Sequence, residues 1–530
     1  MQQPMIGTKT MVVSPHYLAS AAGARMLERG GNAFDAAVAV SACLAVVYPH
    51  MTGLGGDSFW LMYSQHDRAV RAYNASGRSG YRATRSFYAG EAAIPQRGVR
   101  SVVTVPGMVD GWDAVLREYG TLPLAEVLAP AIGYAEHGFP LSRDQHQNSV
   151  ERLAVLAALP ETAAVYLPGG AVPAQGARFV QRDLARTLRA LAGGGRDSFY
   201  KGEIGGRIAS FLAGEGGLLT PDDWADHAGN WEVPLHGTYR GLDHYQVPPN
   251  SQGFTGIMTP QILENFNFGA QGGGIAHGSF DYYHLQVEAL KLAFQDRNRV
   301  LTDPAFASIP IQELISKAYC DSLAARIDPK RASALSSAPV GSDTAYAAVV
   351  DAAGNSVSFI QSLYFEFGSG VTAGDTGILL QNRGSFFSLD PGHVNTLEPR
   401  KRTFHTLMPA MAMKAGEPYL LYGTQGGEGQ PQTQSALLTR IVDYGMDPQQ
   451  AVSEPRWVWG RTWGAATQEL KIESRVPEAV RVALADAGHD VRTVGAYDGV
   501  VGHAHAIVID ERGFRAGGTD PRCDGQAIGW

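Results

Sequence analysis

The chain has 530 residues and an apolar content of 45%, so by length it holds one large α/β core or about two to three smaller domains. Its net charge of −8, without clusters of basic residues, excludes an electrostatic case for binding nucleic acid or an anionic membrane. The first residues show no basic segment followed by about 7–15 apolar residues, and no run of about 18 apolar residues occurs, so we expect a cytoplasmic protein. Cys43, Cys320 and Cys523 are few and far apart, which suits a reduced compartment and excludes a disulfide framework.

Helical and extended patterns alternate in the first part of the chain. Four helical segments are predicted: residues 36–47, which are apolar all round and therefore buried, and residues 124–137, 281–299 and 311–327. The last of them leads into a linker rich in Ser, Ala, Pro and Gly at residues 331–342. Short alternating strands with Gly-rich turns then continue to residues 501–510. The sum of these elements predicts two sheets sandwiched between helical layers.

Thr344 opens a strand directly after this linker. A cut between Asp343 and Thr344 would place a hydroxyl and a free α-amine on one residue. That amine, with a pKa of about 7.7–8, is a usable base at neutral pH. The position therefore predicts an N-terminal-nucleophile hydrolase, with Thr344 as the nucleophile and its α-amine as the base. The alternative is that Thr344 only begins a core strand.

Residues 345–351 and 356–363 form a hairpin pattern around the short polar turn 352–355. If the strands pair symmetrically about that turn, Thr344 lies opposite Leu363, and Ser362 falls beside the nucleophile. The Ser362 hydroxyl would then hold the amine or the hydroxyl of Thr344 through a hydrogen bond. We therefore expect Ser362 to orient Thr344.

Short motifs along almost the whole chain occur in the order seen in gamma-glutamyltranspeptidases. No single motif is specific, but the ordered set is, and the chain is identified as a member of that superfamily by this resemblance. The motifs are GGNAFDAA at 30–37, TGLGGD at 52–57, VPG at 105–107, GGLLT at 216–220, YRG at 239–241, GSG at 368–370, AGDTGILLQN at 373–382, QGG at 425–427 and DPRCDG at 520–525.

The resemblance implies an α+β fold, the four-layer αββα sandwich of N-terminal-nucleophile hydrolases. It also implies that Thr344 attacks the carbonyl of Asp343 and that hydrolysis of the resulting ester yields a large chain, 1–343, and a small chain, 344–530. The two chains would form one domain as a heterodimer, with a dimer of heterodimers as a further option. In turnover Thr344 would attack a substrate amide. Gly426 and Gly427 match the family's oxyanion-hole pair, although their local sequence suits a plain tight turn equally well.

Two other patterns bear on cofactor or metal binding. The glycines at 53–56 follow an apolar helix and enter a strand, which is the reverse of the order that a dinucleotide site needs. His503 and His505 have the spacing of neighbours on one face of a strand, but no third ligand is evident, so they are interpreted as structural. The sequence calls for neither a cofactor nor a metal.

The expected substrate pocket departs from the transpeptidase pattern. By the resemblance, the family binds the glutamyl amine with acidic and amide side chains, and the carboxylate with an arginine and two serines. Tyr364 stands where an asparagine is usual, Phe386 where a carboxylate is usual, and His405-Thr406 where the serines are. Because a desolvated ammonium without an anionic partner costs several kcal/mol, a γ-glutamyl group should bind poorly.

Arg383 lies in a loop where the family has a neutral amide, so the pocket is predicted to be smaller and more positive. The family's N-terminal arginine aligns with Asn74, and Arg78 is the expected substitute for it. Residues 388–401 are shorter than the family's lid loop, which favours hydrolysis over transfer.

These features predict hydrolysis of the amide of a small carboxylic acid, with the small-molecule amide as the partner. Oxamate is one such amide, and the chain resembles the oxamate amidohydrolase branch, which releases oxalate and ammonia late in purine catabolism. The alternative is that Arg383 is a surface or ion-pair residue and that Tyr364 and Phe386 fill the core. The activity would then be glutathione hydrolysis, γ-glutamyl transfer or deacylation of a glutaryl amide as in cephalosporin acylases. A processed but catalytically silent binding protein is a third reading.

Overall fold

The structure is a computed structural model that describes residues 3–269, 273–334, 344–460 and 467–530. The strands in these residues are β1 (Met5–Gly7), β2 (Met11–Val13), β3 (Asp57–Ser64), β4 (Ala69–Ala75), β5 (Phe139–Pro140), β6 (Arg178–Phe179), β7 (Asn230–Glu232), β8 (Leu235–Tyr239), β9 (Leu242–Gln246), β10 (Ala345–Val350), β11 (Ser356–Ser362), β12 (Ala410–Lys414), β13 (Glu417–Thr424), β14 (Trp457–Trp459), β15 (Leu470–Glu473), β16 (Val491–Val494), β17 (Ala504–Ile509), β18 (Arg515–Thr519) and β19 (Ile528–Gly529).

The α-helices in the same residues are α1 (Tyr17–Glu28), α2 (Ala33–Val47), α3 (Met108–Tyr119), α4 (Leu124–His137), α5 (Arg143–Glu151), α6 (Leu153–Leu156), α7 (Pro160–Tyr166), α8 (Arg182–Tyr200), α9 (Glu203–Gly214), α10 (Pro221–Ala225), α11 (Thr255–Leu263), α12 (Phe280–Val300), α13 (Ile311–Leu314), α14 (Lys317–Ala324), α15 (Gly429–Val442), α16 (Pro448–Ser453) and α17 (Glu478–Asp486). None of the described helices is both long and apolar enough to span a membrane.

Two seven-stranded antiparallel sheets form the centre of the fold. Sheet A has the order β1-β18-β17-β13-β12-β9-β8, and sheet B has the order β19-β2-β10-β11-β3-β4-β7. Helices α2 and α3 pack on sheet B, and helices α11, α15 and α16 pack on sheet A. The two sheets contact each other through β10, β11, β13 and β17. The predicted αββα sandwich is therefore confirmed.

Strand β10 shows why the central strands are apolar on both faces. Ala345, Ala347 and Val349 belong to the core shared with the helices on sheet B. The alternate residues Tyr346, Ala348 and Val350 belong to the core between the two sheets. Because successive side chains of a strand point to opposite faces, a strand with a packed layer on each side needs apolar residues throughout.

Capping residues set where the predicted helices begin and end. The helix predicted over 36–47 begins earlier, at Ala33, because the Asn32 side chain accepts hydrogen bonds from the next turn and forms a capping box. The helix predicted over 311–327 is broken into α13 and α14, because the Ser316 hydroxyl accepts from the Tyr319 N–H and starts a new helix.

The hairpin of β10 and β11 has a different register from the predicted one. Ala345 pairs with Gln361 and Val350 with Ser356, so the same register extended by one residue places Thr344 opposite Ser362. The expectation that Thr344 lies opposite Leu363 was wrong. The turn has five residues because Asp351 leaves the ladder, and its carboxylate accepts from the backbone N–H groups of the turn at 2.9 and 3.0 Å.

The segments before and after Thr344 share one fold. In sheet B, strands β10 and β11 lie between β2 and β3, and in sheet A, β9 and β8 extend the row from β12. Chains 1–343 and 344–530 would therefore remain interleaved after a cut, although the cut itself stays a prediction. Asp343, the other half of the expected cleavage site, lies outside the described residues.

Candidate active site

Thr344 is fully buried at the start of β10. Its Oγ1 accepts a hydrogen bond of 3.3 Å from the Nε2 of Gln430, in the first turn of α15. The Gln430 Oε1 accepts from the Met408 N–H at 3.2 Å, which fixes the amide so that its nitrogen faces Thr344. Sequence reasoning missed Gln430. The signal that would have found it is its place one turn after Gly426-Gly427.

Ser362 connects the start of β10 with the expected pocket. It lies across from Thr344 at the end of β11, and it is fully buried. Its hydroxyl accepts from the Tyr364 N–H at 2.7 Å and from the Nη2 of Arg383 at 3.4 Å. The hydroxyl expected to orient Thr344 therefore also contacts the arginine expected to bind substrate.

Residues 425–428, the Gly-Gly loop, join β13 to α15. Gly426 and Gly427 have φ values of 127° and 52°, which favour glycine. The Gln425 carbonyl accepts from the Thr424 hydroxyl at 2.7 Å, and the Gly426 carbonyl accepts from the Gly429 N–H at 2.6 Å. Because N–H and C=O point in opposite directions in a trans peptide, these bonds fix the directions of the Gly426 and Gly427 N–H groups. The loop thus offers two oriented backbone donors shortly before Gln430, whose side chain contacts Thr344.

Arg383 is only 1% exposed, yet its guanidinium is largely unsatisfied. The Nη2 contacts Ser362, but Nε and Nη1 have no hydrogen-bond partner within the described residues. The guanidinium lies 4.4 Å from the ring centre of Tyr364 and 5.3 Å from that of Phe386. Burial lowers the pKa of Arg383 to about 10, while Tyr364 and Asp57 act in the opposite direction, so the side chain stays charged at neutral pH. A buried cation in this state is a ready site for an anion.

Aromatic rings form one wall beside Arg383. The rings of Tyr364 and Phe386 stack with centroids 4.3 Å apart, and Phe404 lies 5.0 Å beyond Phe386. Tyr364 has a φ of 87°, a strained conformation for a residue other than glycine. The phenol ring of this residue is the one that lies over the Arg383 guanidinium.

Asp57, at the start of β3, is a second buried charge near the pocket. Its Oδ1 accepts from the N–H groups of Gly77 and Gly107 at 3.2 and 3.0 Å and from the Nε2 of Gln381 at 3.0 Å, and its Oδ2 lies 3.3 Å from the Nε2 of His405. Burial raises the pKa of Asp57, but the hydrogen bond from His405 and the nearby positive charges bring it below its usual value. The protein itself supplies all four of these contacts to the carboxylate.

His405 and Thr406 were expected to contact substrate. Burial, followed by the charge of Arg383, lowers the pKa of His405 to about 3, so the ring is neutral at neutral pH. Its Nδ1 accepts from the Leu407 N–H at 3.3 Å, and its Nε2 faces Asp57, so both ring nitrogens have protein partners. Thr406 is buried, and its carbonyl accepts from the Nε2 of Gln252 at 2.9 Å.

Asn74 and Arg78 have partners of their own. The Asn74 amide donates to Glu232 at 3.1 Å and to Asn250 at 2.9 Å. Arg78 forms an ion pair of 2.9 Å with Asp303. No described contact joins either residue to Thr344 or to Arg383, so their role in substrate binding remains a prediction.

A possible metal-binding group lies elsewhere, where His284, Glu288 and His489 place ligand atoms within 4.8 Å of one another. The Lys291 ammonium lies 2.8 Å from Glu288, so one of these three residues already has a cation as its partner. His503 is not part of it and packs against Tyr48 and Asp144. Neither set of residues contacts Thr344 in the described part of the chain.

Comparison with known proteins decides the family. The sequence profile described as Gamma-glutamyltranspeptidase matches residues 19–530. The chain belongs to the gamma-glutamyltranspeptidase family. The resemblance found in the sequence motifs is thereby confirmed.

Relatives within the gamma-glutamyltranspeptidase family carry different names. The glutathione hydrolase-like YwrD proenzyme of Bacillus subtilis is 61% identical over 529 residues, with 100% of both chains covered. The oxamate amidohydrolase proenzyme of Klebsiella pneumoniae is 40% identical over 535 residues, again with 100% of both covered. The crystal structure of cephalosporin acylase from Bacillus halodurans matches with a TM-score of 0.92 and 35% identity, covering 100% of this chain and 97% of that one. The shared fold leaves the substrate to be argued from the pocket.

Proposed function

We propose that this chain is an autoprocessed, threonine-dependent amidohydrolase that cleaves the amide of a small carboxylic acid, with oxamate as the best candidate. The observation that carries the proposal is Arg383, a buried guanidinium in which two nitrogens lack a hydrogen-bond partner among the described residues and the third contacts Ser362, which lies opposite Thr344. The carboxylate of such a substrate would satisfy those nitrogens with charge-assisted hydrogen bonds.

Maturation is the first chemical stage. The Thr344 hydroxyl attacks the carbonyl carbon of Asp343, the C–N bond breaks, and the Thr344 nitrogen leaves as an amine while an ester forms. Water then hydrolyses the ester, which frees the Asp343 carboxylate and regenerates the hydroxyl. The Nε2 of Gln430 orients the nucleophilic oxygen by donating to it. The product carries the nucleophile and the base on one residue.

Substrate turnover repeats this chemistry on an external amide. The Thr344 amine accepts the hydroxyl proton as the oxygen attacks, and it returns the proton to the departing nitrogen, which leaves as ammonia. The N–H groups of Gly426 and Gly427 donate to the developing oxyanion, a contribution of about 3–4 kcal/mol for each donor. Water then resolves the acyl-enzyme to the free acid.

The charges around the pocket favour an acyl group with a carboxylate and without an amine. The carboxylate of Asp57 has its acceptor positions taken by His405, Gln381 and two backbone groups. Glu366, two residues after Tyr364, forms an ion pair with Arg152. An α-ammonium group placed beside Arg383 would therefore meet a positive charge and lack an acidic partner among the described residues.

The spacing favours a short acyl group. By the register of the hairpin, Thr344 lies directly across from Ser362, which corresponds to about 4.5–5.5 Å between their Cα atoms. Arg383 reaches Ser362 directly, and the ring of Tyr364 covers the guanidinium. A carboxylate bound there lies a small number of bonds from the carbonyl that Thr344 attacks.

A matched substrate series tests the proposal. Ammonia release is measured for oxamate, malonamate, succinamate and glutaramate, and chromophore release for a glutaryl anilide and a γ-glutamyl anilide. The two anilides differ only by the α-amine. We expect the highest kcat/KM for the shortest acids and a preference for the glutaryl over the γ-glutamyl anilide. Preference for the γ-glutamyl anilide would overturn the proposal.

Two other candidates are kept because specific observations favour them. The relative at 61% identity is named as glutathione hydrolase-like, which favours γ-glutamyl cleavage. The acylase fold match at a TM-score of 0.92 favours a longer dicarboxylic acyl group, whose carboxylate would also suit Arg383. In the series, activity that peaks at glutaramate and the glutaryl anilide would indicate an acylase. Activity on the γ-glutamyl anilide alone would indicate a glutathione hydrolase.

A further inference from the structure

The Gly-Gly loop needs support from outside itself. Two consecutive glycines with positive φ values have wide conformational freedom, and neither has a side chain to pack. Hydrogen bonds at Gln425 and Gly426 fix the first half of the loop, as described above. In the second half, the Gly427 carbonyl accepts from the Gln430 N–H at 3.2 Å, and Glu428 is the last residue before α15.

A buried polar clamp holds that second half. The Nε2 of Gln252 donates to the Gly427 carbonyl at 3.0 Å. The Nη1 of Arg297, on α12, donates to the Oε1 of Gln252 at 2.9 Å, and its Nη2 donates to the Oε1 of Glu428 at 2.6 Å. Both side chains of the Arg297–Glu428 ion pair are 0% exposed. One guanidinium therefore contacts Glu428 directly and Gly427 through a single amide.

The ion pair is not explained by stability alone. Taking two charges out of water costs several kcal/mol per ion, and replacing such a pair by apolar residues is often neutral or stabilising. Its location is more informative. Without Arg297, the Glu428 carboxylate would lose a cation that lies 2.6 Å from it, next to the loop proposed to receive a negative oxyanion, and it would oppose that charge.

We propose that Arg297 is a positioning residue for the Gly-Gly loop, acting through Gln252 and Glu428 to hold the position of Gly427, whose N–H is one of the two donors, and to balance the charge of the Glu428 carboxylate. The inference rests on the proposed function, because it assumes that Gly426 and Gly427 receive the oxyanion. It does not depend on the acyl group, since every amide that Thr344 cleaves develops the same charge.

Two variants test the proposal. Gln252→Leu removes the link to Gly427, and the double variant Arg297→Gln with Glu428→Gln removes the ion pair. We expect kcat, per molecule of cleaved protein, to fall about tenfold or more in both variants while KM changes little, because the loop acts on the transition state. The assay uses whichever amide of the series above wild type hydrolyses fastest.

The matched control is the double variant Arg522→Gln with Glu473→Gln, which removes another ion pair whose side chains are 0% exposed. We expect it to lower the unfolding midpoint and to leave kcat unchanged. Unchanged kcat in Gln252→Leu and in the Arg297–Glu428 double variant overturns the inference, as does an equal loss of kcat in the control. A wild type that hydrolyses a γ-glutamyl amide but not oxamate overturns only the choice of acyl group, and one that hydrolyses no amide overturns both.

Discussion

Arg383 and Arg522 are both buried, but their surroundings are opposite. Arg522 donates to both oxygens of Glu473 at 2.8 and 2.7 Å and to Asp520 at 3.0 Å. Arg383 has Ser362 and two aromatic rings, and two of its nitrogens lack a partner among the described residues. Since a buried charge without a counterion is costly, the first arrangement is that of a structural residue, and the second is what the proposed substrate-binding role of Arg383 requires.

Thr344→Ala should have the largest effect, because a substrate held by Arg383 would then meet no nucleophile. We expect one uncut chain of full mass and no amide hydrolysis, measured by intact-mass spectrometry and ammonia release. Thr344→Ser is the matched control and should still be cut, since it keeps the hydroxyl. Two chains from Thr344→Ala would mean that another residue carries out the cleavage.

Removing each arginine separately tests the comparison itself. Arg522→Ala should lower the free energy of unfolding by about 3–5 kcal/mol, because it leaves buried carboxylates unpaired. Arg383→Ala should leave stability nearly unchanged and raise KM for a small carboxylate-bearing amide about tenfold or more, through loss of a charge-assisted pair. Urea unfolding and steady-state kinetics measure both variants.

The comparison fails if the two arginines exchange these effects. A large loss of stability in Arg383→Ala, with KM unchanged, would make Arg383 a structural residue and remove it from the pocket. Arg383→Lys distinguishes charge from shape, since a lysine keeps the charge but lacks the planar fork. We expect it to recover only part of the affinity.

Acid should destabilise the folded protein through His405, a residue of the candidate site. The pKa of His405 is lowered to about 3 by burial and by Arg383, so the folded state keeps the ring neutral while the unfolded chain takes up a proton below its ordinary pKa of 6.5. The stability that depends on the neutral ring is present above pH 6.5 and declines by about 1.4 kcal/mol per pH unit as pH falls from there towards 3. Urea unfolding at pH 7, 6 and 5 should be less steep with pH in His405→Asn, and parallel pH profiles would contradict this assignment.

Ser362→Ala should have the smallest effect. Loss of a hydroxyl that bonds Tyr364 and Arg383 should lower kcat/KM about fivefold, in keeping with a net contribution of about 1 kcal/mol for one hydrogen bond. Ser358→Ala is the control, because Ser358 lies on the same strand as Ser362 and its buried hydroxyl donates to the Ala410 carbonyl at 2.9 Å. Equal effects of the two substitutions on kcat/KM would reduce Ser362 to a strand residue.

Much of the fold followed from local patterns, because apolar periodicity and capping act over a few residues. The all-apolar helix, the hairpin after Thr344 and the two-sheet sandwich were predicted, while the hairpin register was wrong by one residue. The register depends on how the Asp351 carboxylate binds the turn, and the β-hairpin pattern alone does not reveal that choice.

The pocket was predicted less completely for the same reason. Arg383, Tyr364 and Phe386 were named from sequence and do lie together. Gln430, Asp57 and the clamp around Arg297 were not named. Their roles come from contacts such as that between Asp57 and His405, which are 348 positions apart in the chain.

The sequence by itself determined the family and indicated a candidate nucleophile, because motif order and the residue after a linker are properties of the chain. Only the tertiary structure decided which buried charges have partners. Arg383, Arg297 and Arg522 are the same type of residue, and they differ in the side chains folded around them. The electrostatic energy of a buried charge depends on the few ångströms around it, and distant segments supply those neighbours.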